Sequence, residues 1–417
     1  MLGFVTIMAG RHPHLALMAF VTVLLGSGRQ GYAQVAYRLS AGSSIGVSDT
    51  SGSAPGTTAG AQPEVLVMAR AGAQLGYSGQ MAQYQAAYGF AATWWLRGTE
   101  SSSLTHTLAL SSDIETSAAT HATLGGSAAL SQLSLVDSVT TADPLTAGAR
   151  PAGTTEFLAF DAHEAFAWQL NARWRLDQML EGRFFLPIGQ NLEIAQSESL
   201  THALAITRVW QRDEAGLRTR LGAIKTDQAT LAGGSLVPGR EGEFAEALLS
   251  WRHDLTPSWT SDLAAGGFVL HLAGSDAVLT EAGSAALSYR HTGQELDLRA
   301  ARSVEPNVYL GTAIERDLVM LSVGFPMGRW EALRLNAIAD FEHDSSIGVP
   351  GGATPTANIL VVTAGASYQP ANMFSCRLEY TFRDQLASSA APGTSPFPSF
   401  RRQMVMFTIE VHYPPGA

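Results

Sequence analysis

Long segments of the chain alternate apolar and polar residues with a period of two, and this alternation constrains the fold more than any other feature. In the final segment, Val405, Phe407, Ile409, Val411 and Tyr413 alternate with Met404, Met406, Thr408, Glu410 and His412. A period of two sends successive side chains to opposite faces of a β-strand. We therefore predict an all-β chain whose strands each carry one apolar face and one more polar face.

The length of these segments separates two kinds of β-protein. Clear alternation recurs in the segments 64–78, 81–97, 329–343 and 372–384. Many segments are about 10–14 residues long, which is close to what a tilted strand needs to cross a membrane. Strands of soluble proteins cluster near about 5–6 residues. Alternation alone also fits a soluble β-sandwich, so it is the segment length that favours membrane strands.

Short and long connections alternate between the segments. Short connections, such as those at 292–293 and 369–372, contain Gly, Pro and Asn, which adopt or pre-set turn geometry. Longer connections, such as 136–154, 343–356 and 385–399, are rich in Gly, Ser, Thr and Pro. Short turns at one end and long loops at the other are typical of transmembrane β-barrels.

Counting the segments predicts an antiparallel up-and-down barrel of about 18 strands, and a count of 16 is also consistent. Lipid offers no hydrogen bonds to an open sheet edge, so the sheet is expected to close. The predicted strands are 35–48, 64–78, 81–97, 101–113, 120–135, 155–173, 175–187, 198–211, 215–227, 242–254, 258–272, 278–291, 294–303, 313–325, 329–343, 357–369, 372–384 and 401–413.

The first 33 residues have the pattern of a secretory signal peptide. A short basic or polar lead containing Arg11 precedes an apolar run from Leu15 to Leu25, which is too short to span a bilayer comfortably. Gly31 and Ala33 provide the small residues of a cleavage site. We predict cleavage after Ala33, with residues 34–417 forming the barrel domain. An uncleaved membrane anchor is the alternative.

Composition excludes several classes of function. The net charge of −10 leaves no basic stripe for nucleic acid. The one cysteine, Cys376, can form neither an intramolecular disulfide nor a cysteine metal cluster. His163 and Glu164 begin a zinc-helix motif, but Ala167 stands where the second histidine would be. We expect no catalytic site, no metal, no cofactor and no enzymatic activity.

The face opposite the apolar one carries many charged residues, which are predicted to line the lumen. The candidates for pore lining are Arg70, Arg183, Arg218, Arg220, Glu246, Arg252, Arg290, Asp297, Arg299, Arg334, Asp340, Glu342, Arg377, Glu379 and Arg383. Unpaired charges are costly in a dry interior, so the lumen either holds water or pairs the charges across strands. The pair Arg401-Arg402 is predicted to be solvated or to contact lipid headgroups.

The segment from Val405 to Tyr413 resembles the final strand of bacterial outer-membrane β-barrels, which ends in a closing aromatic residue. The resemblance is one of pattern and covers nearly the whole chain after residue 33. It implies an outer-membrane location, contact with outer-membrane lipid, periplasmic short turns and external long loops. At the same level the chain is similar to the large barrels of exopolysaccharide export, which work with separate periplasmic export proteins.

Three functions follow as alternatives. The first, which the resemblance favours, is a hydrated channel that translocates exopolysaccharide across the outer membrane. Its partner would be a periplasmic polysaccharide-export protein. The second is a general diffusion porin for small hydrophilic solutes, since a barrel of about 16–18 strands leaves an aqueous passage unless something plugs it. The third is a non-conducting structural or adhesive barrel that works through its long loops. The mixed signs of the inner charges indicate no strong preference for cations or anions.

Overall fold

A computed structural model of the chain consists of β-strands joined by turns. It describes residues 34–52, 64–96, 102–134, 154–188, 196–227, 229–230, 236–237, 239–274, 276–307, 312–327, 330–347, 356–388 and 399–413. Over these residues, no helix has the length and apolar character needed to cross a membrane. The signal peptide that we predict for residues 1–33 lies outside the described residues.

Eighteen long strands form one antiparallel sheet. They are β1 Gln34–Gly52, β2 Glu64–Ser78, β3 Ala82–Trp95, β4 Ser103–Ser117, β5 Thr120–Ser134, β6 Thr154–Asn171, β7 Trp174–Ile188, β8 Ser197–Val209, β9 Asp213–Thr226, β12 Arg240–Thr256, β13 Trp259–Leu272, β14 Val278–His291, β15 Gln294–Asn307, β16 Thr312–Met327, β17 Trp330–Ile347, β18 Thr356–Ala371, β19 Phe374–Ser388 and β20 Phe400–Tyr413. Between β9 and β12, the short strands β10 Ala229–Thr230 and β11 Leu236–Val237 pair with each other.

The sheet closes on itself because the first strand pairs with the last. β1 pairs with β2 on one side and with β20 on the other, where the register runs from Leu39 opposite Tyr413 to Gly52 opposite Phe400. Every other long strand pairs with its neighbours along the chain, and β9 pairs directly with β12. Closure gives every long strand a partner on both sides, which is the condition for a sheet in lipid, although β14 and β15 are not paired with each other on the loop side of Gly283 and Arg302.

The two ends of the barrel differ. At one end, tight turns join the strands, for example residues 172–173 between β6 and β7 and residues 292–293 between β14 and β15. This end, which we call the turn side, also carries the start of β1 and the end of β20. The opposite end, the loop side, carries the longer connections, such as those between β5 and β6 and between β19 and β20. Bacterial barrels place such turns in the periplasm and such loops outside.

The fold predicted from alternation is confirmed. Each of the 18 predicted segments corresponds to one long strand, so the alternative of 16 strands is wrong. The predicted and observed ends differ by a few residues in most strands. The prediction missed β10 and β11, because two-residue strands are too short to show any periodicity.

The outer face of the barrel is apolar. It presents exposed large hydrophobic residues on every side, including Val47, Leu130, Phe160, Leu221, Leu249, Leu279, Val319, Phe341, Leu378 and Phe407. Aromatic residues gather near the turn side, where Tyr37 lies 6.4 Å from Tyr413 and Trp259 lies 4.8 Å from Tyr289 between ring centroids. An apolar band with aromatic residues at its edge is the outer surface of a transmembrane barrel.

Candidate functional site

The register of the strands places all fifteen predicted pore-lining residues on the inner face. Residues of this face alternate with the exposed apolar ones: on β9, for example, Arg218 and Arg220 alternate with Leu217 and Leu221. Directly opposite pairs share a face, as Arg220 and Glu246 do. Whether these residues line a conducting pore stays a prediction.

The turn-side half of the inner wall is exposed and carries ion pairs, some within one strand and some between strands. Arg334 on β17 lies 2.7 Å from Glu295 on β15, and Arg175 lies 2.8 Å from Asp177 on β7. Arg377, whose side chain is 52% exposed, pairs with Glu379 on the same strand. We call this half the vestibule. Its charges are exposed and many of them are paired, and the hydration of the lumen stays a prediction.

The loop-side half of the inner wall is packed. Most strands bring at least one buried inward side chain to this level, and we call the set the buried layer: Ser48, Leu66, Ser131, Phe157, Phe185, Ser197, Phe244, Phe268, Leu270, Asp344, Ile359, Gln385, Arg402 and Met404. Two aromatic pairs belong to it, Phe157 with Phe185 at 5.2 Å and Phe244 with Phe268 at 5.4 Å between ring centroids. The inner surface is therefore exposed and charged on the turn side and buried on the loop side.

Charged groups within the buried layer are held by partners. Arg316 Nε lies 3.2 Å from Asp344 Oδ1 and 3.7 Å from Glu342 Oε2, and the Asp344 side chain is fully buried. Arg402 donates a hydrogen bond to Ser48 Oγ at 2.9 Å, and its guanidinium lies 5.4 Å from the centre of the Trp95 ring. Buried charges are retained where such partners offset their loss of hydration.

The loop-side end of β15 lies on the inner side of the barrel wall. β14 and β15 pair only as far as Gly283 opposite Arg302, whereas β15 and β16 stay paired up to Asn307 opposite Thr312. Beyond Arg302, Val304 is 1% exposed and packs in one cluster with Phe268 and Leu270, which face inward from β13. The end of β15 thus lies over the inner wall and narrows the lumen.

A hydrogen bond links this strand end to β9, four strands away around the barrel. Arg220 on β9 donates from Nη2 to the backbone oxygen of Val304 at 3.1 Å and to Glu246 Oε2 at 3.0 Å. Beside these residues lies a cavity of about 670 Å³, which is lined from both sides of the lumen by residues that include Met179, Arg218 and Leu318. A second cavity, of about 520 Å³, lies against β1 to β4 and is lined by Arg38, Arg70, Gln74 and Thr107.

The inner wall encloses cavities and carries paired charges. Among the described residues, no group of three or more His, Cys, Asp or Glu side chains could hold a metal ion. His163 and Glu164 lie on β6, a strand, and therefore point to opposite faces.

Two features of the lumen differ from the sequence-based expectation or were missed by it. The prediction that both arginines of the pair 401–402 are solvated is wrong for Arg402, which is 4% exposed and faces inward. Arg401 is exposed and pairs with Asp384 at 2.9 Å. Arg316 and Asp344 were not among the candidates. The segment 313–325 is apolar on both faces, so its alternation gave no register, although period two from Asp340 and Glu342 leads directly to Asp344.

Neither a protein-family model nor a curated protein matches the chain. Solved structures of outer-membrane proteins are similar to it at low identity. OccK2 of Pseudomonas aeruginosa in complex with glucuronate is 11% identical, with 91% of this chain and 98% of that chain covered and a TM-score of 0.47. For OccAB3 of Acinetobacter baumannii the identity is 9%, the coverage 90% and 99%, and the TM-score 0.45. A mutant ferric enterobactin receptor of Pseudomonas aeruginosa in complex with enterobactin is 8% identical, with 89% of this chain and 81% of that chain covered and a TM-score of 0.46.

The architecture identifies the environment in which the chain works. A closed 18-stranded antiparallel barrel with an apolar outer band, aromatic residues at the band edge and a polar inner wall is the form of bacterial outer-membrane barrels. The chain is therefore an outer-membrane β-barrel with a channel-like fold, surrounded by outer-membrane lipid.

Proposed function

We propose that this barrel is a passive channel through which small hydrophilic solutes cross the outer membrane. The observation that carries the proposal is the cavity of about 670 Å³ between the vestibule and the buried layer. Its wall holds paired charges such as Arg220 and Glu246, 3.0 Å apart, and reaches exposed charges such as Arg218 on the turn side. Such a wall stays hydrated and repels neither sign of charge strongly.

The buried layer sets the size of the solutes in this proposal. Aromatic and aliphatic side chains, among them Phe185, Phe268 and Leu270, fill the loop-side half of the inner wall. The end of β15 narrows the passage further at Val304. A passage with a packed layer on one side admits small molecules more readily than polymers, so we expect a steep dependence of flux on solute size.

Export of an exopolysaccharide is the second candidate. The feature that favours it is the wall of the smaller cavity, where Ser40, Gln74, Thr105 and Thr107 stand beside charged groups such as Arg38 and Arg70. Hydroxyl and amide groups are suitable partners for the hydroxyl groups of a sugar chain. In this case the turn side would face a periplasmic export protein, and the buried layer would have to open for the polymer.

Conductance and swelling measurements on the purified full chain test the first proposal. The folded barrel, recognised by its resistance to detergent before heating, is inserted in planar lipid bilayers and in liposomes. We expect stable conductance, and swelling rates that fall steeply from monosaccharides to oligosaccharides. Absence of conductance from folded protein would contradict both channel functions and favour the non-conducting structural or adhesive barrel.

Deletion of the gene separates the two candidates. For a diffusion channel, deletion slows uptake of small solutes and leaves surface polysaccharide intact. For an exporter, deletion removes surface polysaccharide and leaves small-solute uptake unchanged. We also propose that the barrel has no catalytic activity. Purified protein incubated with lipid and peptide substrates should therefore leave them uncleaved.

A further inference from the structure

Three polar side chains stand in the apolar outer wall, far from either end of it. Glu164 lies in the middle of β6, between Phe160 on the loop side and Trp168 on the turn side, both of which face lipid. His202 lies in the middle of β8, between Leu200 and Leu204, which are exposed on the outer face. Gln178 on β7 shares this face, since it pairs directly with Phe166 and Leu204.

The three residues form one patch around Leu180. Leu180 pairs directly with Glu164 on one side and with His202 on the other, and Gln178 is the next outward residue on the same strand. Neighbouring strands are about 4.8 Å apart, so Glu164 and His202 are separated by roughly 10 Å of backbone. Within the described ranges, no hydrogen bond or ion pair of these three side chains is found.

Other charged groups of the outer face are either paired within the chain, as Arg302 is with Asp317 at 2.6 Å, or lie near the ends of the strands. The exposed pair Glu198 and Lys225 lies at the loop-side ends of β8 and β9, and Asp213 with His253 lies at the turn-side ends of β9 and β12. Such positions reach water or lipid headgroups. A carboxyl group at the depth of Glu164 reaches neither, and polar groups at that depth are costly unless another protein surface pairs with them.

We propose that a second copy of this chain covers the patch, with Glu164 of each copy facing His202 of the other. Two copies in one membrane stand in the same orientation, so their twofold axis lies along the membrane normal and side chains of similar depth meet. An axis near Leu180 brings each carboxyl group to the partner's imidazole. In a twofold interface each residue meets its counterpart's partner in the other copy, and this arrangement, with Glu164 of each copy against His202 of the other, meets that requirement.

The surface next to the patch allows the close approach that such an interface needs. Gly126, Ala162 and Gly182 pair across β5, β6 and β7 on the same outer face. Small residues let two backbones approach within membranes, where association depends on packing and hydrogen bonds rather than on the hydrophobic effect. The polar patch and the small residues together form one continuous surface on β5 to β8.

Cross-linking in native membranes tests the proposal. The chain has one cysteine, so Cys376→Ser gives a background in which Leu180→Cys is the one reactive thiol. Under oxidation this variant should form a cross-linked dimer of the chain. The matched control is Leu321→Cys, which is also exposed on the outer face but lies on β16, across the barrel. It should remain monomeric.

Exchange of the charges gives a second measurement. Restoration of the cross-link by the double exchange would show that the single exchanges act on the interface and not on folding. Glu164→His alone, or His202→Glu alone, places like groups across the axis and should lower the cross-linked fraction about fivefold, as one polar pair does within a membrane. The double exchange should restore it. The proposal is overturned if Leu180→Cys cross-links no more than Leu321→Cys, if the product has the mass of a different partner, or if the single exchanges have no effect.

Discussion

At the residue scale, the buried charges of the lumen stabilise the loop-side half of the barrel. Arg316 reaches both Asp344 and Glu342, and all three side chains are at most 12% exposed. Removal of one partner from a buried ionic cluster leaves charge that is neither hydrated nor fully compensated, which costs far more than loss of an exposed pair. The stability of the barrel therefore depends more on where an ion pair lies in the wall than on how many ion pairs there are.

Asp344→Asn is expected to lower the free energy of unfolding by about 3 kcal/mol, because it weakens the compensation of the buried Arg316. Urea unfolding of the folded barrel in lipid vesicles measures the change. The matched control is Glu198→Gln, which removes the same charge from a pair with Lys225 in which both side chains are about half exposed. It should cost less than about 1 kcal/mol. Equal effects of the two variants would contradict the assignment.

The turn between β14 and β15 contains a second residue-scale feature. Thr292 has a φ of 47° and Gly293 a φ of 81°, so both central residues have positive φ, as in a type I′ hairpin turn. Asn and Gly adopt this conformation readily, whereas a β-branched threonine does so at a cost. Thr292 is thus held in a conformation that its own side chain disfavours.

We expect Thr292→Asn to raise the free energy of unfolding by about 1 kcal/mol and Gly293→Ala to lower it by about the same amount. The control is Gly76→Ala on β2, where φ is ordinary and a Cβ would have its nearest neighbour, the backbone oxygen of Ala36, at 3.8 Å. Vesicle-based unfolding again provides the measurement. A gain from Gly293→Ala would be incompatible with the observed turn.

At the scale of the strands, most of the fold could be predicted, for a physical reason. A membrane strand has lipid on one side and a polar lumen on the other, so its environment changes at every residue and its sequence must alternate. This is why β20, from Phe400 to Tyr413, and β19, from Phe374 to Ser388, were recognisable from their residues alone.

The narrowing of the lumen could not be predicted in the same way. Val304 belongs by alternation to the outer set of β15, with Arg302 and Leu298, yet it packs against inward side chains of β13. The reason lies in pairing: β15 leaves β14 at Arg302, and only the separated end can cross to the inner side of the wall. Separation of two strands depends on tertiary contacts, which a periodic pattern does not report.

Val304→Asp tests the role of this strand end. A carboxyl group at Val304 would be driven out of the cluster with Phe268 and Leu270, so the end of β15 should move off the inner wall. If the proposed channel is correct, single-channel conductance should rise about twofold, as expected when a hydrophobic constriction is relieved. The control is Val319→Ala, because Val319 faces lipid on the outer side of β16 and does not reach the lumen. Unchanged conductance in both variants would exclude β15 as the constriction.

At the scale of the whole molecule, the barrel is asymmetric along its axis. Exposed ion pairs occupy the vestibule, and buried side chains fill the loop-side half. An even number of strands returns the chain end to the turn side, so all the long connections lie at the packed end. In the proposed channel, with the turn side in the periplasm as in bacterial barrels, a solute from outside would reach the buried layer before the vestibule.

The balance of inner charges predicts the ion selectivity of the proposed channel. Arginines of the wall lie close to carboxylates, as in the pairs Arg220 with Glu246, Arg334 with Glu295 and Arg183 with Glu181. Because paired charges of opposite sign create little net field along the axis, we expect the permeabilities of K⁺ and Cl⁻ to differ by less than about threefold. Reversal potentials across a KCl gradient measure this ratio, best at low ionic strength, where screening is weak.

Glu246→Gln makes this expectation specific to one pair. The change removes the carboxylate beside Arg220 and leaves the guanidinium, held at the backbone oxygen of Val304, as an unneutralised positive charge next to the cavity. The reversal potential should then shift toward Cl⁻, with a change of about twofold to threefold in the permeability ratio. Glu198→Gln makes the same charge change on the outer face and should leave the ratio unaltered. If both variants shift the ratio equally, its origin is the overall charge of the protein; if only Glu246→Gln does so, ions pass Arg220 on their way through the barrel.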